Sequence, residues 1–418
     1  MTSGTVYVVG AGLAGLSAAV ALADKGAQTV LIEGTGQAGG RCRSYFDSTL
    51  GQVIDNGNHL VLSGNHATHA YLRAIGAADR LTGPACARFV FADMRSGARW
   101  TIAPNEGPLP WWVFVKARRV PGSSLGEYLA LAKLLVPPRD KRIDEVIACK
   151  GPLWEKLLHP FLLAALNTEP ETASAALAAA VIRETLAKGG RAYRPRIASP
   201  TLGAAFIEPA LAHLNRNGVD IRFGQRLRGI AFEGDRATAL DFADGPIALA
   251  PADRVVLATP AWVTQDLVPG VAAPTEFRAI VNAHFATPAP AGAAPMTGVI
   301  GGTAEWVFAF HDRISVTVSG ADAIVDQDRE TLAKTLWRDV AAVHGLGAEP
   351  PAWQIVKERR ATFAATPEQA ARRAKAQTHW TNLVLAGDWT DTGLPATIEG
   401  AVRSGQRAAE LAVEGNNK

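Results

Sequence analysis

The chain has 418 residues, 48% of them hydrophobic and 19% charged, with a net charge of +3 at pH 7. That length holds two domains, or one domain with a large insertion, and the composition builds a core without disordered bulk. A small, dispersed charge with no Lys/Arg-rich run excludes nucleic acid as a partner.

Residues 5–9 (TVYVV) read as a short buried parallel strand, followed by Gly10-Ala11-Gly12-Leu13-Ala14-Gly15 and an apolar helix from 16 to about 25. A second strand, 29–32, ends on Glu33. Gly10 permits the tight turn, Gly12 lets a pyrophosphate approach the backbone, and Gly15 lets helix and strand pack closely. The N–H groups around Leu13 and Ala14, at the positive end of the helix, suit phosphates. Glu33 is placed for ribose hydroxyls and argues against a 2′-phosphate. The unit predicts a dinucleotide-binding βαβ, with Thr29 standing where an apolar residue is usual. Although 6–23 is nearly uncharged, no basic segment precedes it and glycines interrupt it, so neither a signal peptide nor a membrane span is expected.

The next segment carries Gly39-Gly40-Arg41, a guanidinium suited to an oxyanion. Residues 53–61 (VIDNGNHLV) read as two strands joined by a tight Asn56-Gly57 turn, with Asn58 and His59 just beyond it. Cys42, Cys86 and Cys149 fit no metal spacing and are odd in number, which predicts reduced thiols, a cytoplasmic protein and no metal site.

Between the ends, Trp111, Trp112 and Phe114 stand directly before three basic residues, and 125–139 reads as an amphipathic helix. An aromatic–basic patch beside such a helix fits a membrane headgroup layer, and equally a core cluster with a solvated rim. A helix over 175–186 and strands over 305–310 and 314–320 could wall an apolar tunnel. The segment 218–230 reads as strand, turn, strand, and 254–262 as a buried strand ending in Thr259-Pro260. The glycines of 298–302 lack a following helix and acid, so a second nucleotide domain is not expected. Near the C-terminus, 385–405 (LAGDWTDTGLPATIEGAVRSG) forms another glycine-rich strand-to-helix junction with its own carboxylate, Asp388, after Gly387. Two such junctions suggest that both ends of the chain grip one long ligand.

Together these motifs resemble the flavin amine oxidase and carotenoid desaturase superfamily. Within it, DNGNH (55–59), LLAALNTEPETASA (162–175) and 387–405 look most like its bacterial squalene-associated, FAD-dependent branch. The resemblance implies an α/β fold: a discontinuous Rossmann-type FAD-binding domain (1–85, 200–270 and 380–418) plus a mixed α+β substrate domain (86–199 and 271–379). It implies non-covalent FAD, since no cysteine lies near the C-terminal loop. Cofactor contacts fall on Gly10, Gly12, Leu13, Ala14, Gly15, Glu33, Gly39, Gly40, Arg41, Gly57, Asn58, His59, Leu227, Thr259, Gly387 and Asp388. The helix starting near Thr397, with N–H groups around Ile398 to Ala401, would face the flavin, and Glu399 would complement its dipole.

The implied reaction is reductive removal of an allylic hydroxyl from an apolar C30 isoprenoid, with an external electron donor. The membrane surface and upstream enzymes of the squalene pathway are implied partners, the protein lying in the cytoplasm or peripherally on the inner face of its membrane. Loss of the hydroxyl needs a proton donor; His59 is the candidate, with Tyr193, Asp391 and Asn167 as alternatives. A carotenoid-type desaturase or saturase, a flavin amine oxidase and a non-enzymatic prenyl carrier remain alternatives.

Overall fold

The computed structural model describes residues 4–414. Short apolar runs bounded by glycine or proline are too brief for helices, and here they become fully buried parallel strands. Val6–Val9 pairs on one side with Thr29–Ile32 and on the other with Arg254–Leu257. Asp220–Arg222 and Leu383–Leu385 complete a five-stranded parallel sheet as its edges. Thr29 takes the expected packing position: it is buried, and its hydroxyl donates to the Ala27 carbonyl at 2.9 Å.

Two helices cover this sheet's central strands. The opening helix, Leu13–Asp24, is buried on nearly every face. The C-terminal helix, Ile398–Glu414, crosses it at Gly405, where an added Cβ would lie 2.1 Å from the Ala14 carbonyl oxygen. Ser17 donates to the Val402 carbonyl at 3.0 Å across the same contact. Only a residue without a side chain allows this approach.

A second sheet has seven strands, in the order Trp353–Phe363, Phe277–Phe285, Ile314–Val318, Trp306–Ala309, Met296–Ile300, Phe89–Asp93, Arg99–Ile102. All neighbours are antiparallel except Met296–Ile300 with Phe89–Asp93. The helix Arg329–His344 packs on one face, burying Leu336 and Val340 among Val307, Val316 and Val318. Across the other face lies a largely helical segment, 111–192, whose Trp154, Leu162 and Leu166 share a core with Trp306 and Phe308.

The expected hairpin over 53–61 does not form. Gln52–Asp55 pairs with Ser44–Asp47, whereas Leu60–Leu62 pairs with Pro195–Ala198, so Asn56 and Gly57 connect two different sheets. The expected helix over 125–139 is also shorter: Leu125–Ala130 is α-helical, Leu131–Leu134 winds into a tighter 3-10 turn, and Pro137-Pro138 bars continuation. The three cysteines are free thiols.

Candidate active site

The opening glycine loop turns between strand and helix. Gly10 holds φ at +105°, and an added Cβ at Gly15 would sit 1.8 Å from the Gly10 carbonyl oxygen, so the loop closes on itself. Gly12 differs: a Cβ there would meet nothing within 4 Å. It precedes the first helical turn and supplies no side-chain cap, leaving the N–H groups at Leu13 and Ala14 facing open space. An uncapped helix start in front of an open space suits an anion.

Glu33 flanks this space. Its Oε2 accepts from the Ala11 N–H at 2.8 Å, and its Oε1 accepts from the backbone and hydroxyl of Thr35 at 2.8 and 2.9 Å. The segment before Leu227 lies alongside, with Gly224 donating to the Thr35 carbonyl and Gln225 to the Glu33 carbonyl. Gly39 bridges to Gly12, its N–H donating to the Ala11 carbonyl at 2.8 Å, and this delivers Gly40 and Arg41 to the mouth of the glycine loop.

Arg41 then reaches the far end of the chain. Its Nη2 donates to Asp388 Oδ1 at 2.6 Å, and its Nη1 to the Ala361 carbonyl. Forty-two per cent of the Arg41 side chain is solvent-accessible, yet burial is the largest influence on its proton affinity, working to lower it, and Asp388 overcomes that and raises it. Asp388 itself is buried. Its loop is tied by Gly387 N–H to Ser404 Oγ at 2.9 Å and by Trp389 Nε1 to the Thr259 carbonyl at 3.0 Å. Thr397 caps the C-terminal helix, accepting from Gly400 N–H at 3.0 Å, and places Ile398 and Ala401 in its first turn.

The turn at 56–59 approaches from the seven-stranded sheet. An added Cβ at Gly57 would lie 2.9 Å from Asn282 Nδ2, and Asn58 Nδ2 donates to Thr317 Oγ1 at 3.2 Å. His59 lies beside Arg41. Burial first, then the Arg41 charge, push the imidazole down to about 4. It is therefore neutral at pH 7, hydrogen-bonded to the Arg41 backbone.

The alternative proton donors are placed unfavourably. Asp391 is exposed. Asn167 is a left-handed corner whose amide is already engaged, Oδ1 by Gly320 N–H at 2.7 Å and Nδ2 by Thr362 Oγ1 at 2.9 Å. Tyr193 is buried, and burial raises its phenol well above the usual range. Glu399 does more than complement its own helix. Its carboxylate accepts from the N–H groups of Ala67 and Thr68, at 3.1 and 2.8 Å, capping the helix His66–Ala74, and it pairs with Arg403 at 2.8 Å.

Sequence reasoning passed over Arg373. Its guanidinium is buried against Phe363 and donates to the carbonyls of Asp388, Trp389 and Thr390, pinning the loop that carries Asp388. Burial pulls it down to about 10, so it stays charged at neutral pH. A lone arginine ahead of an unremarkable loop gives no local signal of such a role.

The open space thus collects backbone donors, an acid at one end and an arginine–aspartate pair at the other, all on the parallel sheet's loops, the placement that defines a dinucleotide-binding oxidoreductase fold. The profile of the family described as flavin containing amine oxidoreductase matches residues 13–413, and the chain belongs to that family. Its cofactor is FAD. The chain is 53% identical over 410 residues to hydroxysqualene dehydroxylase of Rhodopseudomonas palustris, covering 98% of each chain. It is 51% identical over 412 residues to hydroxysqualene dehydroxylase of Sinorhizobium fredii, covering 99% of each. Among solved structures, cyclohexylamine oxidase from Brevibacterium oxydans superposes with a TM-score of 0.72 over 100% of both chains, at 15% identity.

Proposed function

We propose that the protein is an FAD-dependent oxidoreductase that removes the allylic hydroxyl of hydroxysqualene reductively, releasing squalene and water. The observation that carries this reading is identity of 53% and 51% to two hydroxysqualene dehydroxylases, over 98% and 99% of each chain. The fold alone does not choose a substrate, because amine oxidation is served by the same architecture.

The bound FAD supplies a hydride equivalent once an external donor has reduced it. This chain's own residues then divide the remaining work. The N–H groups of Gly12, Leu13, Ala14 and Gly15 are the donors for a pyrophosphate, with Gly10, Gly39 and Gly40 shaping the backbone that approaches it. Glu33 takes ribose hydroxyls while Leu227 packs the adenine end. Arg41, Gly387 and Asp388 would hold the middle of the cofactor, and Thr259, Thr397, Ile398 and Ala401 would stand at its ring end, with Gly57, Asn58 and neutral His59 as neighbours. The division of the chain into cofactor pieces 1–85, 200–270 and 380–418 and substrate pieces 86–199 and 271–379 is supported by strand membership. The parallel sheet draws strands from the first set, and the seven-stranded sheet draws from the second.

The segment 109–136 supports collection of so apolar a substrate from lipid. Leu109, Trp111, Phe114, Leu129 and Val136 are 52–86% exposed, and Lys116, Lys133 and Arg139 are exposed around them. Arg118 lies over the Trp111 ring at 4.6 Å. Exposed aromatics beside lysines fit an anionic headgroup layer. Among the described residues no helix is long and apolar enough to cross a membrane.

The deciding experiment reduces the purified flavoprotein anaerobically and adds hydroxysqualene. Flavin reoxidation coupled to squalene formation is expected; a flavin that stays reduced in the presence of hydroxysqualene removes the reading.

A further inference from the structure

The face of the seven-stranded sheet opposite the helix Arg329–His344 carries a row of polar side chains. Asn282 pairs with Thr317 and His284 with Ser315 across two adjacent strands, and residues directly opposite in an antiparallel pair share a face. Arg313 continues the row one alternation before Ser315. These five side chains are buried, while the residues between them, Val281, Ala283, Ile314 and Val316, turn to the apolar side with that helix. Polar groups enclosed in this way cost stability unless they find partners.

Their partners lie in the segment 55–58. Thr317 Oγ1 donates to Asn282 Oδ1 at 2.7 Å and accepts from Asn58 Nδ2 at 3.2 Å. Asn282 Oδ1 also accepts from the Asn58 backbone N–H at 3.4 Å. His284 reaches the Asp55 carbonyl through Nε2 at 3.0 Å. A carbonyl only accepts, so Nε2 carries the proton, and in the neutral ring Nδ1 accepts from the Ser315 hydroxyl at 2.8 Å. Arg313 Nη2 stands 3.8 Å from Asp55 Oδ2. The segment comes this close because residue 57 is glycine: an added Cβ would lie 2.9 Å from Asn282 Nδ2.

On its other side the same segment is held by the loop that carries Arg41. Asp55 Oδ1 accepts from Ser44 Oγ at 2.6 Å, and Asn56 N–H donates to the Arg43 carbonyl at 3.0 Å. His59 is hydrogen-bonded to the Arg41 backbone, and Arg41 pairs with Asp388 at 2.6 Å. An unbroken series of contacts thus runs from the sheet face through Asn58 and His59 to the Arg41–Asp388 pair.

We propose that Asn282 and Thr317, braced by His284, are positioning residues for the dehydroxylation: they fix the turn 56–59, and through it the ring end of the FAD site, against the sheet of the substrate pieces. This rests on the dehydroxylase reading above. An apolar row meeting an apolar turn would hold the two together about as well. Hydrogen bonds are directional, so the polar row admits one placement of the turn where greasy contact would admit several. Reacting groups tolerate little displacement, and a turn that drifts costs rate before it costs affinity.

The test uses the complete flavoprotein. Thr317→Val exchanges the hydroxyl for a methyl group of the same size and removes the contact to Asn58. The visible circular dichroism of the bound flavin should change, because the ring end of its site shifts. Anaerobic single-turnover reoxidation by hydroxysqualene should slow about tenfold or more, with the half-saturating hydroxysqualene concentration unchanged. Thr317→Ser keeps the hydroxyl and should restore both. Val318→Ala lies in the same strand but packs on the helix side; it should lower the melting temperature and leave dichroism and rate as in wild type. A Thr317→Val holoprotein that matches Val318→Ala in dichroism and rate, or a Thr317→Ser protein that recovers neither, overturns the assignment. Wild-type protein that binds FAD but fails with hydroxysqualene brings down the dehydroxylase reading instead, and the flavin dichroism still decides the placement of the turn.

Discussion

The Arg41 guanidinium and the Asp388 carboxylate, 347 positions apart in the chain, meet at 2.6 Å. This contact joins the loop after the second strand to the loop after the last one. Asp388→Ala leaves the Arg41 cation without its carboxylate partner in the proposed cofactor site. Apoprotein stability should fall by about 1–3 kcal/mol, nearer the low end because 42% of the Arg41 side chain is solvent-accessible. FAD retention on gel filtration should drop more steeply; full flavin occupancy would refute the role given to the pair.

Gly12 and Gly15 should separate binding from folding. A methyl group at Gly12 enters open space, so Gly12→Ala should leave apoprotein melting almost unchanged while FAD affinity falls at least about tenfold, one lost or strained phosphate contact. At Gly15 the same methyl would lie 1.8 Å from a carbonyl oxygen, and soluble expression should collapse. Equal effects at both positions would contradict the geometry.

Glu399→Ala removes a helix cap and one arm of the Arg403 pair at once. The carboxylate is only 3% exposed, so the expected destabilisation is about 2–4 kcal/mol. Chemical denaturation would measure it. Single-turnover rate in the surviving holoenzyme should remain near wild type, since the group is taken up by Ala67, Thr68 and Arg403.

His59 and His284 are both pushed down to about 4 by burial, helped by nearby arginines. His284 is enclosed, bonded to Ser315 Oγ and the Asp55 carbonyl. Their folded affinities for a proton lie below the unfolded value, so unfolding takes up protons in mild acid. Stability should therefore be intact above about pH 6.5 and decline as pH falls towards 4. A melting series across that range should show a shallower decline in His284→Gln; parallel curves would rule out its share.

Trp111 and Phe114 offer a clean surface test. Trp111→Asp combined with Phe114→Asp should abolish co-sedimentation with anionic phosphatidylglycerol vesicles while leaving flavin content and melting temperature unchanged. Unaltered sedimentation would move the lipid contact elsewhere.

What the sequence made legible was local. The glycine loop, Glu33 and the second strand at Thr29–Ile32 follow from spacing within some 30 residues, because turn chemistry and short-range packing decide them. The Asn56-Gly57 turn misled for the opposite reason. Its flanking strands find partners at Ser44–Asp47 and at Pro195–Ala198, a choice made by tertiary contacts that overrides the hairpin preference of the dipeptide. Arg373 was invisible as a site residue, since its bonds to the carbonyls of Asp388, Trp389 and Thr390 depend on how that loop folds back over it, which no local pattern signals. The neutral state of His59 is likewise a product of burial first, with the neighbouring guanidinium adding to it.

The position of Leu383–Leu385 has a further consequence. It covers the outer edge of Arg254–Leu257 in the parallel sheet, so that edge stays bare until a strand more than a hundred positions further on has left the ribosome. Nascent protein must wait through that stretch of its synthesis with a β-branched ribbon unpaired, and a message truncated shortly before this strand would yield a product prone to sticking to its own kind.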